Sequence, residues 1–479
     1  MYYFDWEILS MNGKYNLVTC NVYKGLIMLS LPIMATSFIQ MSYNLMDLIW
    51  IGRLEEHAIE ATAAVGTIGL VIWFANALAI IPRIGTEVGI ANSIGGQDIH
   101  RRDGFLYNAL YIDIVMAILF STIILIFGKN IIAFFNFEND IIIDMSEKYM
   151  KVMGIGMIFT FLNPVLSGIY NGSGNSKLPF YVNSIGLFIN IVLDYFFIFG
   201  IWFFPKLGVI GAAVASVISQ AVVTFIFLLI IYLKTDILKK FFKFKNNIHS
   251  GYIKQIFKIG VPATVHTCVF VLISGFITRI IADWGANAIS VQKIGIQIES
   301  ITWMTTEGFA TALSAFVAQN NGANKIERIK ESYYKGLKIV GSIGFITMLL
   351  LYFIPKQLFQ IFIPNDVETL KLGISYLKIL SISQVLLSIE IATTGAFNGL
   401  GRSDIAAIIN IFLTLLRIPG AILILHYNLS LNYMWWLISF TSMLKGLVLY
   451  IFFKIYLKNY QRKKAYLIGA DTVGKEKSF

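Results

Sequence analysis

Long apolar stretches alternate with short polar connectors along almost the whole chain, at about 22–51, 61–94, 105–135, 145–171, 179–203, 208–233, 257–283, 286–319, 335–363, 373–399, 404–427 and 433–457. Each is long enough to cross the hydrocarbon core of a bilayer as a helix, which takes about 20 residues. The pattern therefore predicts twelve spanning helices. Pro32, Pro82, Pro164, Pro262 and Pro419 fall inside these stretches. Spanning helices tolerate proline where neighbours or cavity water satisfy the freed backbone groups, so bends are expected. The first residues carry Asp5, Glu7 and Lys14 and lack a basic segment joined to an isolated apolar run and cleavage site. No cleaved signal peptide is expected.

Composition agrees with a bilayer protein. Of 479 residues 57% are hydrophobic and 14% charged, too apolar for a water-soluble enzyme of this size. Twelve crossings use roughly 300 residues and leave no room for a soluble catalytic domain. The formal charge of +11 could suggest nucleic acid, but its location gives a different reading. Arg101, Arg102, Lys177, Lys234, Lys239, Lys240, Lys243, Lys245, Lys254, Lys258, Lys325, Arg328, Lys330, Lys335, Lys338 and Arg402 follow even-numbered spans. Glu55, Glu56, Glu60, Glu138, Asp140, Asp144, Asp366 and Glu368 follow odd-numbered ones. Cations are retained on the cytoplasmic side, so both termini are expected inside, and the basic charge reports topology, not nucleic acid. Cys20 and Cys268 cannot build a disulfide framework or a zinc site. No cofactor is implied.

The expected organisation is a cytoplasmic N-terminal segment (1–21), a first lobe (22–233), a basic cytoplasmic linker (234–256), a second lobe (257–457) and a basic cytoplasmic tail (458–479). The two lobes repeat. Gly168-Ile-Tyr-Asn171-Gly172-Ser-Gly174-Asn-Ser176 matches Gly395-Ala-Phe-Asn398-Gly399-Leu-Gly401-Arg-Ser403 at an offset of 227, and the same offset carries Ala91, Gly95 and Asn183 onto Ala318, Gly322 and Asn410. Six spans per repeat is an even number, so both halves enter the membrane in the same sense. They are then related by a pseudo-two-fold axis along the membrane normal and enclose a central cavity. The fold class is an all-α integral membrane protein of two six-helix lobes.

Several motifs resemble the multidrug and toxic compound extrusion (MATE) transporters. They are Leu31-Pro32 and Met46-Asp47-Leu-Ile-Trp-Ile-Gly52 in the first span, Asn171-Gly-x-Gly174, Asn190-Ile-Val-Leu-Asp194-Tyr-Phe-Phe-Ile-Phe-Gly200 in the fifth, and Ala315-Phe-Val-Ala-Gln319-Asn-x-Gly322-Ala323 closing the eighth. The resemblance covers about 22–457. It implies a V-shaped pair of lobes exporting drugs, usually organic cations, against an inward flow of sodium ions or protons. It also implies coupling acids in the first lobe at positions matching Asp47, Asn190 and Asp194. A branch of the family carries an acid early in the seventh span, and this chain has none over 262–281.

The repeat supplies an internal control, because architectural residues should recur in both lobes. At the 227 offset Asp47 becomes Ser274, Asn190 becomes Arg417 and Asp194 becomes Ala421. These residues are therefore not a generic need of the fold. Asp47 lies just before Gly52, and Asp194 is about 22 Å up its span, so both sit in the outer half of the membrane. Asn190 is one turn below Asp194 on the same face, able to coordinate sodium or stabilise a carboxylate. For a carboxylate within a span a functional role is the default, here coupling to H+ or Na+, and bundle hydrogen bonding is the alternative.

In the second lobe Glu299, Trp303 and Glu307 share one face of the eighth span, and a ring between two acids suits a lipophilic cation. Glu390 is a further candidate substrate contact. The alternative is that Glu307 or Glu390 clamps Arg417 or Lys445. Arg83 and Glu87 are expected to form an intrahelical ion pair. Asp113 and Arg279 lie near expected span ends, where snorkelling is common. His266 is expected to be a hydrogen-bonded interior histidine. The Asn-Gly-x-Gly segments lack phosphate-loop spacing and read as tight turns, and no protease or hydrolase motif surrounds the five histidines.

The expected function is a monomeric plasma (inner) membrane exporter of small lipophilic, often cationic compounds, coupled to inward proton or sodium flow by alternating access. A flippase for lipid-linked oligosaccharide precursors shares the architecture but would be expected to line its cavity with cations. A membrane enzyme lacks a catalytic set, and a channel is disfavoured by duplicated lobes with proline-bearing helices.

Overall fold

The computed structural model describes residues 16–54, 57–137, 139–202, 204–234, 248–363 and 366–476. Glu55, Glu56, Glu138, Lys239, Lys240, Lys243 and Lys245, with most of the interior linker and the N-terminal segment, lie outside the described residues. Every regular element among those described is helical: α1 Val22–Ile51, α2 Ala58–Gly95, α3 Ile99–Ala133, α4 Asp140–Gly172, α5 Lys177–Phe199, α6 Val209–Lys234, α7 Ser250–Ile281, α8 Ala286–Gly322, α9 Ile326–Phe353, α10 Pro355–Gln360, α11 Val367–Ser381, α12 Gln384–Gly399, α13 Ser403–Leu415, α14 Arg417–His426 and α15 Leu431–Glu476. Each of the twelve expected stretches is helical. Ten stretches among the described residues are single helices, or helices with a small break, long and apolar enough to cross a membrane, and α11 with α12 forms an eleventh bent by 54°. The twelfth, α8, has the length but carries Gln292, Lys293, Gln297, Glu299 and Glu307 along its course.

The breaks have local causes. Pro419 has no N–H for the Leu415 carbonyl, and the helix is interrupted at Leu416 between α13 and α14. At the α11–α12 bend, Ser383 Oγ and Gln384 Nε2 both donate to the Leu380 carbonyl, competing with the backbone for it. Pro32, Pro82, Pro164 and Pro262 are accommodated inside continuous helices. The last helix continues far past a single crossing, about 69 Å at 1.5 Å per residue. Its extension is tied to the α8–α9 turn where Tyr460 Oη donates to Asn321 Oδ1 (2.7 Å) and Gln461 Nε2 to Glu327 Oε1 (2.8 Å).

The described chain divides into two compact units, one holding 16–20 and 27–264, the other 21–26 and 265–476. Residues 250–264 of α7 thus pack with the first unit, where Thr264 Oγ1 donates to the Ala77 carbonyl (3.2 Å) and Gly260 lies against Ile81. The first unit's core runs through Phe105, Leu166, Tyr170 and Phe227 toward one end and Ile68, Met153 and Phe161 toward the other. The second is centred on Ile281, Phe359, Leu377 and Trp435.

The repeat seen in the sequence is reproduced bond for bond. In the first unit α4 packs on α2 through two glycines: a Cβ at Gly168 would lie 3.3 Å from the Arg83 carbonyl oxygen, and one at Gly172 would lie 2.4 Å from that of Glu87. In the second unit α12 packs on α8 in the same way, with Gly395 against the Ala310 carbonyl and Gly399 2.4 Å from that of Ser314. All four pairings are related by 227. Small residues four apart let helix backbones touch, as is common between spanning helices. The turns match as well. Asn175 N–H donates to the Tyr170 carbonyl and Arg402 N–H to that of Phe397, with Gly174 and Gly401 both at positive φ (89° and 69°). The Asn-Gly-x-Gly segments are therefore the tight helix-to-helix turns expected of them.

Candidate functional site: a buried carboxyl cluster in the first unit

In the first unit α1 and α5 run in parallel and meet at four-residue steps. Gly186 leaves room for Tyr43, where a Cβ would sit 2.3 Å from the hydroxyl. One turn on, Asn190 reaches Asp47, and beyond it Trp50 packs on Tyr195 and Phe199 with ring centroids 5.4 and 6.0 Å apart. This register places Asp47 opposite Asn190 and Asp194, as their matched depths suggested. Asn190 Nδ2 donates to Asp47 Oδ1 (3.5 Å) and to Ser216 Oγ (3.3 Å), and the Ser216 hydroxyl donates to Asp47 Oδ2 (3.1 Å). Asp194 lies beside Asp47, near enough for the pair to share one proton. Neither Asp194 oxygen has a hydrogen-bond donor, and Asn190 Oδ1 is likewise buried without a partner. Asp47 is 8% exposed, and Asn190 and Asp194 are fully buried.

Such a cluster offers several oxygens and, among the described residues, no cation at ion-pair distance to neutralise them. Two carboxyls at close range in low dielectric cannot both stay ionised without help, so the site can hold a proton between them or a small cation among its oxygens. Sequence reasoning missed two members. Ser216 closes the hydrogen-bonded ring from α6, within the small-residue run Gly211-Ala-Ala-Val-Ala-Ser216 that permits close approach. Tyr149 of α4 is buried and feels the charge of both Asp47 and Asp194. A polar residue within the first turns of α4 and α6 was the available signal.

In the second unit the four other candidates separate. Glu299 is turned into the helix packing. Its Oε2 accepts from Gln384 Nε2 (3.4 Å), and the Tyr376 hydroxyl approaches it because Gly295 has no side chain to block the ring. Trp303, at 39%, and Glu307 are exposed, so the shared face does not bring the three together. Glu390 is held by Lys445, whose Nζ donates to Oε1 at 2.9 Å with both side chains almost fully buried. Arg417 donates to Thr441 Oγ1 (2.8 Å) and Ser442 Oγ (2.9 Å), and has no carboxylate at ion-pair distance among the described residues. The Glu307–Arg417 clamp considered from sequence is therefore absent, because hydroxyls of α15 satisfy the guanidinium. The Glu390–Lys445 clamp is present.

Three further expectations need correction. Arg83 and Glu87 make no ion-pair contact: Glu87 is buried with its Cβ against Gly168, and the Arg83 Cγ lies along the same glycine. Asp113 is not at a span end, since α3 begins at Ile99 and the residue is fully buried within it. His266 Nε2 is buried without a hydrogen-bond partner.

Two repeated helical units of membrane-spanning length, one of them enclosing a buried carboxyl cluster, define a polytopic integral membrane protein. The family profile described as MatE matches residues 32–196 and again 262–423, one block beginning at Pro32 and the other at Pro262. The chain belongs to this family of membrane transporters. It is 28% identical over 418 residues to the probable multidrug resistance protein NorM of Thermotoga maritima, covering 84% of this chain and 86% of that one. It is 25% identical to the probable multidrug resistance protein YoeA of Bacillus subtilis (85% and 88% covered) and 23% identical to the FAD transporter of Shewanella oneidensis (86% and 90%). Among solved structures, a MATE in the bent conformation has a TM-score of 0.85 at 23% identity, covering 94% of this chain and 98% of that one. An outward-facing multidrug resistance MATE family transporter has a TM-score of 0.83 at 24% identity, covering 95% and 98%. These likenesses establish the twelve-helix, two-lobe fold.

Proposed function

We infer that the protein is a secondary active exporter of small lipophilic, often cationic compounds, driven without a cofactor by inward flow of protons or sodium ions. The observation that carries this is the Asp47–Asn190–Ser216 ring with Asp194 beside it, a set of buried oxygens with no cationic partner among the described residues and no counterpart at the matching positions of the other lobe. Protonating or loading this cluster changes its charge by one unit in low dielectric, enough to bias two packings of the helices that build it. Alternating access then follows if drug and ion favour opposite packings. The protein works as a monomer in the plasma membrane with both termini in the cytoplasm. Of the second-lobe candidates, the exposed Trp303 and Glu307 remain the proposed substrate contacts, whereas Glu299 is turned into the packing and Glu390 is held by Lys445.

A second reading has one specific support. Arg417 is a buried guanidinium whose partners are two hydroxyls and the Ile438 carbonyl, with no carboxylate at ion-pair distance among the described residues, which suits an anionic group, and one relative is an FAD transporter. Export of ethidium and of FAD from proteoliposomes, measured side by side, separates the two. Ethidium transport competed by other lipophilic cations is expected, and FAD transport without ethidium transport would overturn the cationic reading.

A further inference from the structure

The first unit buries another carboxyl apart from the Asp47–Asp194 cluster. Asp113 is fully buried in α3, and both its carboxyl oxygens lack a hydrogen-bond partner among the described residues. Its level in the bundle follows from contacts on either side. On α2, Gly89 meets Phe105, so eight residues along the antiparallel pair set Asp113 level with Ile81 and Pro82. On α4, Gly154 meets Ile124 and accepts from Ser121 Oγ, so eleven residues along set Asp113 level with Pro164 and Val165. Pro164 lies about 22 Å along α4 from Tyr149, which marks the outer cluster. Asp113 is therefore a separate group, nearer the cytoplasmic end.

Two prolines at its level leave two helix carbonyls, Leu78 and Thr160, without their usual N–H donors. Carbonyls left so at this level add acceptors, not the donors that a carboxylate would need. The charged groups on packed elements do not neutralise it. Arg83 and Glu87 on α2, Lys151 on α4, Asp103 and Lys129 on α3 itself, and His249 and Lys254 at the start of α7 make no ion pair with it, nor do Tyr107, Tyr111, Tyr149, Tyr170 and Tyr252 donate to it. A buried, unpaired carboxylate is costly, so the neutral acid is the form that fits.

The repeat argues that packing does not call for an acid here. The α2–α3 and α8–α9 turns share their hydrogen bonds: Asp98 N–H donates to Ser93 and Lys325 N–H to Asn320, and Gln97 and Asn324 both have positive φ. Counting equally from each turn carries Asp113 onto Val340, a fully buried residue of similar volume. The second lobe fills the same position with a hydrocarbon. Like Asp47 and Asp194, Asp113 is a first-lobe acid with no counterpart.

We propose that Asp113 is a second proton-binding carboxyl of the first lobe, filled in this conformation and emptied toward the cytoplasm during the cycle. The carboxyl takes one proton from water and returns it to water, with no electron transfer. The cycle rests on the exporter reading above, whereas proton binding does not. Infrared difference spectroscopy of the purified full-length protein, titrated through neutral pH, reads the carboxylic acid C=O stretch directly. A protonated-acid band absent in Asp113→Asn and shifted in Asp113→Glu is expected, and Glu retains a carboxyl should the Asn variant fail to fold. In proteoliposomes transporting ethidium, Asp113→Asn should lower the protons moved per ethidium by one while transport continues. An unchanged band in both variants overturns the proposal. An unchanged proton count, with the band assigned to Asp113, overturns its place in the cycle. If ethidium is not transported at all, the exporter reading fails and the infrared arm still decides Asp113.

Discussion

Removing one partner of the Glu390–Lys445 pair tests how the second lobe tolerates charge in its interior. The contact is 2.9 Å, and the two side chains are 5% and 3% exposed. Lys445→Met keeps the length and apolar stem of the side chain and leaves Glu390 without a cation, with Oε2 already lacking a partner. Breaking a buried pair in this way costs about 3–5 kcal/mol. For a unit of this size that is a fall in melting temperature on the order of 10 °C. Replacing both partners, Glu390→Leu with Lys445→Met, removes the charges together and should recover most of the loss, because paired burial is roughly balanced by desolvation. The assay is thermal unfolding of detergent-purified protein followed by fluorescence-detected size exclusion. A loss below about 1 kcal/mol in the single variant, or a double variant no better than the single, would refute a buried clamp.

The glycine seams should be equally sensitive in both lobes. Gly172→Val and Gly399→Val each drive a side chain onto a carbonyl 2.4 Å from the ideal Cβ, and each should destabilise by at least about 1–3 kcal/mol in the same unfolding assay. The Asp366 carboxyl is held below the usual range by the Thr369 hydroxyl and by the backbone N–H groups of Thr369 and Glu368 that it caps. A depressed folded value gives stability that is present above the unfolded pKa, about 3.9, and lost as pH falls through the folded value. The stability gap between the wild type and Asp366→Ala should therefore be largest near neutrality and shrink in acid, by melting temperature against pH. Sidedness is checked by labelling a single cysteine at Asn246 in a Cys-free background, which an impermeant reagent should reach only after the cells are opened.

Periodicity and length made the twelve spans legible, because an apolar run of that length has few other uses. The 227-residue repeat was readable for a physical reason: Gly172 and Gly399 are fixed by backbone contact, which no other side chain permits. Depth arithmetic brought Asp47, Asn190 and Asp194 together, since α1 and α5 run parallel and height alone nearly fixes the pairing. It could not find Ser216, whose role depends on the lateral position of α6. Helix-face reasoning was weaker. Glu299 and Glu307 are two turns apart on one face, yet one is turned into the packing and the other is exposed. Which neighbour each meets depends on the placement of α11 and α12, set by a bend that no proline announces. Asp113 was misplaced because its helix starts at Ile99, six polar-rich residues before the apolar run does.

The central claim is that the first-lobe carboxyl cluster couples ion flow to export. Ethidium efflux from proteoliposomes, with pH and sodium gradients imposed separately, tests it most directly on the wild type, Asp47→Asn and Asp194→Asn. One of the two gradients should drive efflux in the wild type and neither should in the variants, while ethidium binding and folded yield are retained. Variants that keep gradient-driven efflux with wild-type ion stoichiometry would contradict the account.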